Sequence, residues 1–181
     1  MIRMLITLII ISVLFPSVEN LNPADNGSTV RFTIKNFGSK VTGSFKGLGG
    51  KIQFDPERPG ASVFDVKVDV KTINTGIKLR DSDLKKEKYF DTEKFSEIRM
   101  ISSSISKDGE EKDGYIFTGS IVIKGISKEI KFPFTATAQK DGYLFVGNFP
   151  LNRRDFKVGG SSISLSDDLK VSLSVLGKKA N

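Results

Sequence analysis

The chain is predicted to be all-β: an antiparallel barrel of about eight strands with one short helical insertion closing one end. Three features predict this. Apolar and polar residues alternate in one stretch after another, the period of a strand with one buried and one wet face. Turn sequences rich in Gly, Asp and Pro separate those stretches. Apart from the insertion and an N-terminal apolar run, no stretch reads as a long helix. A flat sheet of this kind would leave unpaired edges, which closure removes. A two-sheet sandwich shares the same alternation and stays open on parity alone.

The elements follow in order. Residues 1–20, "MIRMLITLIIISVLFPSVEN", read as a secretory signal peptide: Arg3 gives a positive start, Leu5 to Phe15 is apolar, and Pro16 opens a polar end. That apolar run is shorter than the roughly 20 residues needed to cross a bilayer. Residues 21–181 are then one exported domain, periplasmic or secreted. Val30, Phe32 and Ile34 share the first apolar face. In "VTGSFKGLGGKIQF" the apolar parity changes between Val41 and Phe45 on one side and Leu48, Ile52 and Phe54 on the other. The glycines from Gly47 to Gly50 mark either a bulge or a loop. Phe64, Val66, Val68 and Val70 face in, with Asp65, Lys67, Asp69 and Lys71 opposite. Ile98 and Met100 belong to the inward set, as do Tyr115, Phe117, Ile121 and Ile123. Ile130, Phe132 and Phe134, then Tyr143, Phe145, Phe149 and Leu151, and finally Leu169, Val171, Leu173 and Val175 complete it. The joints are "KNFGSK", "DPERPG", "DGEEKDG", "KGIS" and "KDG".

Composition excludes much chemistry. The 181 residues contain neither His nor Cys, so the usual nucleophile–base pairs, disulfides and soft metal sites are unavailable; no cofactor or metal is expected. The net charge of +7 is scattered over the polar sides of strands, which reads as a solvated exterior. It speaks against a nucleic-acid partner in an exported chain and leaves room for peripheral contact with an anionic membrane. A paired-acid hydrolase would need two carboxylates at a cleft, for which Asp81 and Asp91 qualify; Asp81 pairing with Arg80 or Arg153, and Asp91 capping a turn, is the structural reading of the same residues.

The insertion is "TINTGIKLRDSDLKKEKYFDTEKF", Thr72 to Phe95, dense in charge and without alternation. Thr75 is a candidate cap for a short helix that puts Ile77 and Leu84 on one side. Tyr89 and Phe90 follow between charged neighbours, as expected of a connection tucked over a barrel opening. Four stretches carry a family resemblance: "STVRFTIKNFG", "INTGIKLRDSDLKKEKYFD", "YIFTGSIVIKGISKEIKFPF" and "LNRRDFKVGG". In this order they resemble the YceI-like family of exported lipid-binding proteins.

The resemblance implies a lipocalin-like barrel, closed by the insertion, whose apolar cavity holds a long-chain lipid or isoprenoid. On that expectation the cavity wall is Phe32, Ile34, Phe45, Val66, Val68, Ile98, Met100, Phe117, Ile121, Phe132, Phe134, Phe145 and Phe149. The mouth is Arg80, Asp81, Leu84, Tyr89, Phe90 and Arg153, the arginines either forking onto a phosphate head group or bracing the insertion to the rim. Small residues at Gly43, Gly119, Ala136 and Gly147 are expected to leave gaps between the large ones. The chain departs from the family pattern where histidines are frequent, with Gly27 or Asn36 early and Asp83 after the Arg–Asp pair, and in Lys157, where a Gly is usual. A barrel filled by its own side chains remains open. So does a surface-interaction role for its basic exterior, and so does a homodimer.

Overall fold

The computed structural model describes residues 18–180. They form eight strands: β1 (Glu19–Asn36), β2 (Ser39–Phe54), β3 (Val63–Asn74), β4 (Glu97–Lys107), β5 (Gly114–Ile123), β6 (Ile126–Gln139), β7 (Gly142–Asn152) and β8 (Leu165–Lys179). One helix, α1 (Lys78–Leu84), lies between β3 and β4, and 3₁₀ turns cover Pro59–Ala61 and Arg153–Phe156. Each strand pairs antiparallel with the next, and β8 returns to pair with β1. The sheet is a closed barrel with no free edge, so the sandwich alternative is excluded. Most of the leader expected at residues 1–20 lies outside the described residues. Its last two, Glu19 and Asn20, open β1 opposite Phe54 and Gln53.

Parity is interrupted where backbone demands it. Between Ser44 and Gly49 the β2–β3 register slips twice, and Gly47 and Gly50 take left-handed φ of 73° and 98°. A Cβ on Gly50 would stand 2.1 Å from the Asp65 carbonyl oxygen, so only glycine fits. The glycine run is thus a double bulge inside a continuous strand, not a loop. It faces a second irregularity in β1, between Leu21 and Val30. Asp25 stitches the two together: its carboxylate accepts the N–H groups of Gly47 and Leu48, both at 2.9 Å.

The strand order gives the barrel two unlike ends. At one end lie the links Asp55–Ser62, Asp108–Asp113 and Lys140–Asp141. At the other, the rim, lie the β1–β2 turn, the insertion, the Lys124–Gly125 turn and the stretch from Arg153 to Ser164. The first end is plugged by aromatic rings. Phe54 is fully buried and touches Phe64, Tyr115, Tyr143 and Phe145 edge-on at centroid separations of 5.0–6.1 Å. Above it Phe132 is stacked between Phe117 at 5.0 Å and Phe149 at 4.5 Å. The plug determines which half of the interior can be hollow.

Candidate functional site

The rim half of the barrel encloses a cavity of about 590 Å³ that opens at the rim. Phe32 and Ile34 of β1, Phe45 of β2, Val66 and Val68 of β3, Ile98 and Met100 of β4, Ile121 of β5 and Phe149 of β7 line it, all among the residues expected on the wall. The remaining four do not. Phe117, Phe132, Phe134 and Phe145 share the inward parity but belong to the plug, buried in ring contacts at the far end. The interior is therefore neither wholly hollow nor wholly filled.

The small residues also act otherwise than expected. Gly43 stands directly opposite Phe32, whose ring lies where its Cβ would be, 2.2 Å away. Gly147 receives the Phe132 ring edge in the same way, and at Gly119 a Cβ would meet the Ile101 carbonyl oxygen at 2.1 Å. These positions seat neighbouring rings or backbone and leave no gap for a ligand. Leu169, Val171, Leu173 and Val175 of β8, inward by their alternation but not among the residues expected on the wall, all line the cavity. Val30, Val41 and Leu48 do the same from β1 and β2.

At the mouth, Arg80, Leu84, Tyr89, Phe90 and Arg153 line the cavity and Asp81 does not. Asp81 is taken up within the insertion, where its Oδ1 accepts the Thr75 N–H at 2.8 Å and the Thr75 hydroxyl. Arg80 donates to that hydroxyl oxygen at 2.7 Å and to the Thr75 carbonyl at 2.8 Å. Thr75 is thus not the helix cap: α1 starts after Ile77 with no side-chain cap, and Thr75 instead joins Arg80 to Asp81. Asp91, the other acid considered for a cleft, also lies off the cavity wall; it sits at φ 50° in a turn, where its carbonyl accepts Lys94 and Phe95 N–H groups. Among the described residues, Asp83 is the acidic side chain on the cavity wall, and it bonds Lys86 at 2.6 Å. Among the described residues no pair of acids faces this cavity.

Arg153 is 4% exposed and braces the rim. It donates to the carbonyls of Ser166, Val158 and Gly160 and pairs with Asp167 at 2.6 Å, which ties the segment after β7 to the start of β8. The turn before that segment ends at Lys157 with φ 53°, a left-handed cap, which is why a glycine suits this position. The insertion is bound to the same segment: the Gly159 N–H donates to the Lys88 carbonyl at 2.9 Å, and Lys124 reaches the Glu87 carbonyl. Phe90 drops inward against Phe45, edge-on at 5.8 Å. The insertion covers part of the barrel end. The opening that remains is bordered by Phe37, Ile77, Leu79, Ser161, Ser162 and Ser164.

Comparisons with known proteins agree with this architecture. Residues 20–176 match the family model described as the YceI-like domain. The chain is 30% identical over 102 residues to Protein YceI of Escherichia coli O157:H7, a stretch that is 56% of this chain and 52% of that protein. It thus spans about half the length of that relative. Over 137 residues it is 30% identical to a UPF0312 protein of Pseudomonas fluorescens, covering 70% of this chain and 69% of that one. Among solved structures it is similar to Burkholderia cenocepacia BcnA, with TM-score 0.79 and 22% identity over 84% of this chain and 98% of that one. The YceI protein of Campylobacter jejuni gives TM-score 0.69 and 26% identity over 78% and 87% of the two chains. A polyisoprenoid binding domain of Saccharophagus degradans, implicated in plant cell wall breakdown, gives TM-score 0.67 and 14% identity over 91% and 100%. By the family match over most of its length and the closed barrel that carries it, this chain belongs to the YceI-like family.

Proposed function

We propose that this chain is an exported protein that sequesters or carries one polyisoprenoid-like or fatty chain, without catalysis. The observation that carries the reading is the cavity: about 590 Å³, walled by Val, Ile, Leu, Met and Phe side chains, blind at the plug and open at the rim. Eight strands enclose room for a single small ligand, and this volume falls within the range of small-molecule pockets, about 300–1,000 Å³. Apolar burial supplies roughly 0.8 kcal/mol per methylene, so about ten buried carbons supply some 8 kcal/mol gross before association costs. A blind, one-ended cavity takes an extended tail and leaves its head at the rim. The neighbour from Saccharophagus degradans, named for polyisoprenoid binding, supports the ligand class.

The test is solvent extraction of the purified protein followed by mass spectrometry. The expected result is a long-chain lipid or isoprenoid in near-stoichiometric amount, or its uptake by protein stripped of lipid. A folded protein that contains none and takes up none overturns the reading.

A further inference from the structure

The four most exposed large apolar side chains among the described residues are Ile163, fully exposed, Phe37 at 81%, Leu79 at 75% and Ile77 at 52%. All four sit at one place, the rim of the cavity mouth. Phe37, Ile77 and Leu79 border the opening themselves. Ile163 stands between Ser162 and Ser164, which also border it, and the Phe37 N–H donates to the Ser164 carbonyl at 2.8 Å. Folding alone gives no reason for this cluster. Phe37 occupies the left-handed region at φ 48° in a two-residue hairpin turn, where Asn or Asp is the ordinary residue and a bulky ring is strained.

Unpaired charge around the patch is positive, and Asp83, one helical turn from Leu79, is paired with Lys86. Lys35 and Lys40 stand opposite each other on either side of the Phe37–Gly38 turn, and Lys78 lies between Ile77 and Leu79. These three lysines are exposed and form no ion pair among the described residues, and the segments 35–40, 77–80 and 160–164 contain no acid. Protruding apolar tips ringed by free cations complement an anionic bilayer surface, apolar groups entering the acyl boundary while lysines meet head groups.

We infer that the rim docks onto an anionic membrane surface, with Phe37, Leu79 and Ile163 inserted, so that the cavity opens into the bilayer. The docking stands on the rim residues. Its use in transferring a lipid chain rests on the binding reading above. β1 starts at Glu19 beside the plug and reaches the rim at Asn36.

The absence of Cys makes a local test clean even in the full chain. Ile163→Cys, Phe37→Cys and, as the control on the barrel flank, Val146→Cys are each labelled with an environment-sensitive fluorophore and mixed with vesicles rich in phosphatidylglycerol. The expected result is a blue shift, with quenching by brominated lipid tails, at positions 37 and 163 and none at 146. Both effects weaken in phosphatidylcholine vesicles and in high salt. Phe37→Asn, which suits the turn better, keeps or raises the melting temperature while weakening vesicle binding through the rim by roughly tenfold. No shift at the rim, or an equal shift at 146, overturns the inference. So does a rim shift that grows with protein concentration in the absence of vesicles, which would mean that a second copy covers the patch. Lipid extraction and uptake can succeed while these labels stay silent, and the reverse, so the two readings fail separately.

Discussion

Truncating Phe132 to Ala separates a plugged barrel from a hollow one. Its ring is 4% exposed, stacked between Phe117 and Phe149, and its edge fills the space above Gly147. Removing a ring so enclosed loses its transfer energy and leaves a void that stacked neighbours on a closed barrel cannot fill, a cost of about 3–5 kcal/mol. For a domain of this size each kcal/mol is roughly 2–4 °C, so the melting temperature falls by about 6–20 °C. Ile34 provides the contrast. It carries the same inward parity but borders the cavity, where one side of the chain already lacks packing partners, and Ile34→Ala should cost only about 1–2 kcal/mol. Urea titrations at constant slope measure both. Equal costs for the two substitutions, or a Phe132→Ala cost below about 1 kcal/mol, would refute the division of the interior into a packed half and an open half.

Further outcomes follow from the same geometry. Gly43→Ala forces the Phe32 ring off its seat and into the cavity, costing about 1–3 kcal/mol and lowering ligand uptake, which binding and melting assays read together. Arg153→Lys keeps the charge but cannot reach three carbonyls and Asp167 at once, so it should destabilise by about 2–4 kcal/mol without restoring the rim. Thr75→Val removes the hydroxyl that Arg80 and Asp81 share, leaving each only its bond to the Thr75 backbone, and should loosen the insertion, seen as faster amide exchange from Asn74 to Leu84. Acid should destabilise the fold. The Arg99 guanidinium bonded to Asp65 holds its carboxyl below the usual range. At Asp55 burial pushes the carboxyl up, but the N–H groups of Arg58 and Glu57 and the Arg58 side chain outweigh it and hold it low. A carboxyl lowered by folding contributes stability above its unfolded value of about 3.9 and loses it as pH falls through the folded value. The urea midpoint should therefore drop below about pH 4, and less steeply in Asp65→Asn.

Strand alternation made the barrel legible because a one-sided sheet writes its period directly into the sequence. β8 is an example, with Leu169, Val171, Leu173 and Val175 all on the cavity wall. β4 was hard to read for the converse reason. A bulge between Ser102 and Ser104 shifts the inward set from Ile98 and Met100 to Ile105, so no single parity runs through it. The boundary between plug and cavity was not legible. Phe132 has the same local pattern as Phe32, and only the register across strands decides which ring is enclosed between two others and which borders space. The mouth followed the insertion in Arg80, Leu84, Tyr89 and Phe90. Asp81 escaped because its partner, Thr75, lies in the loop before the helix, where geometry rather than spacing sets the contact. Phe37 and Ile163 carry no strand or helix signal, and their significance emerges only when the chain brings two distant turns together.

The open half of the barrel should receive a single oily chain. Native mass spectrometry of the folded protein with geranylgeraniol measures this directly, using Met100→Trp with Ile121→Trp, paired across β4 and β5 on the cavity wall, to fill the space. One adduct per wild-type chain, lost or weakened at least about tenfold in the filled variant, is the predicted result. No adduct on the wild type, or an undiminished one on the filled variant, contradicts it.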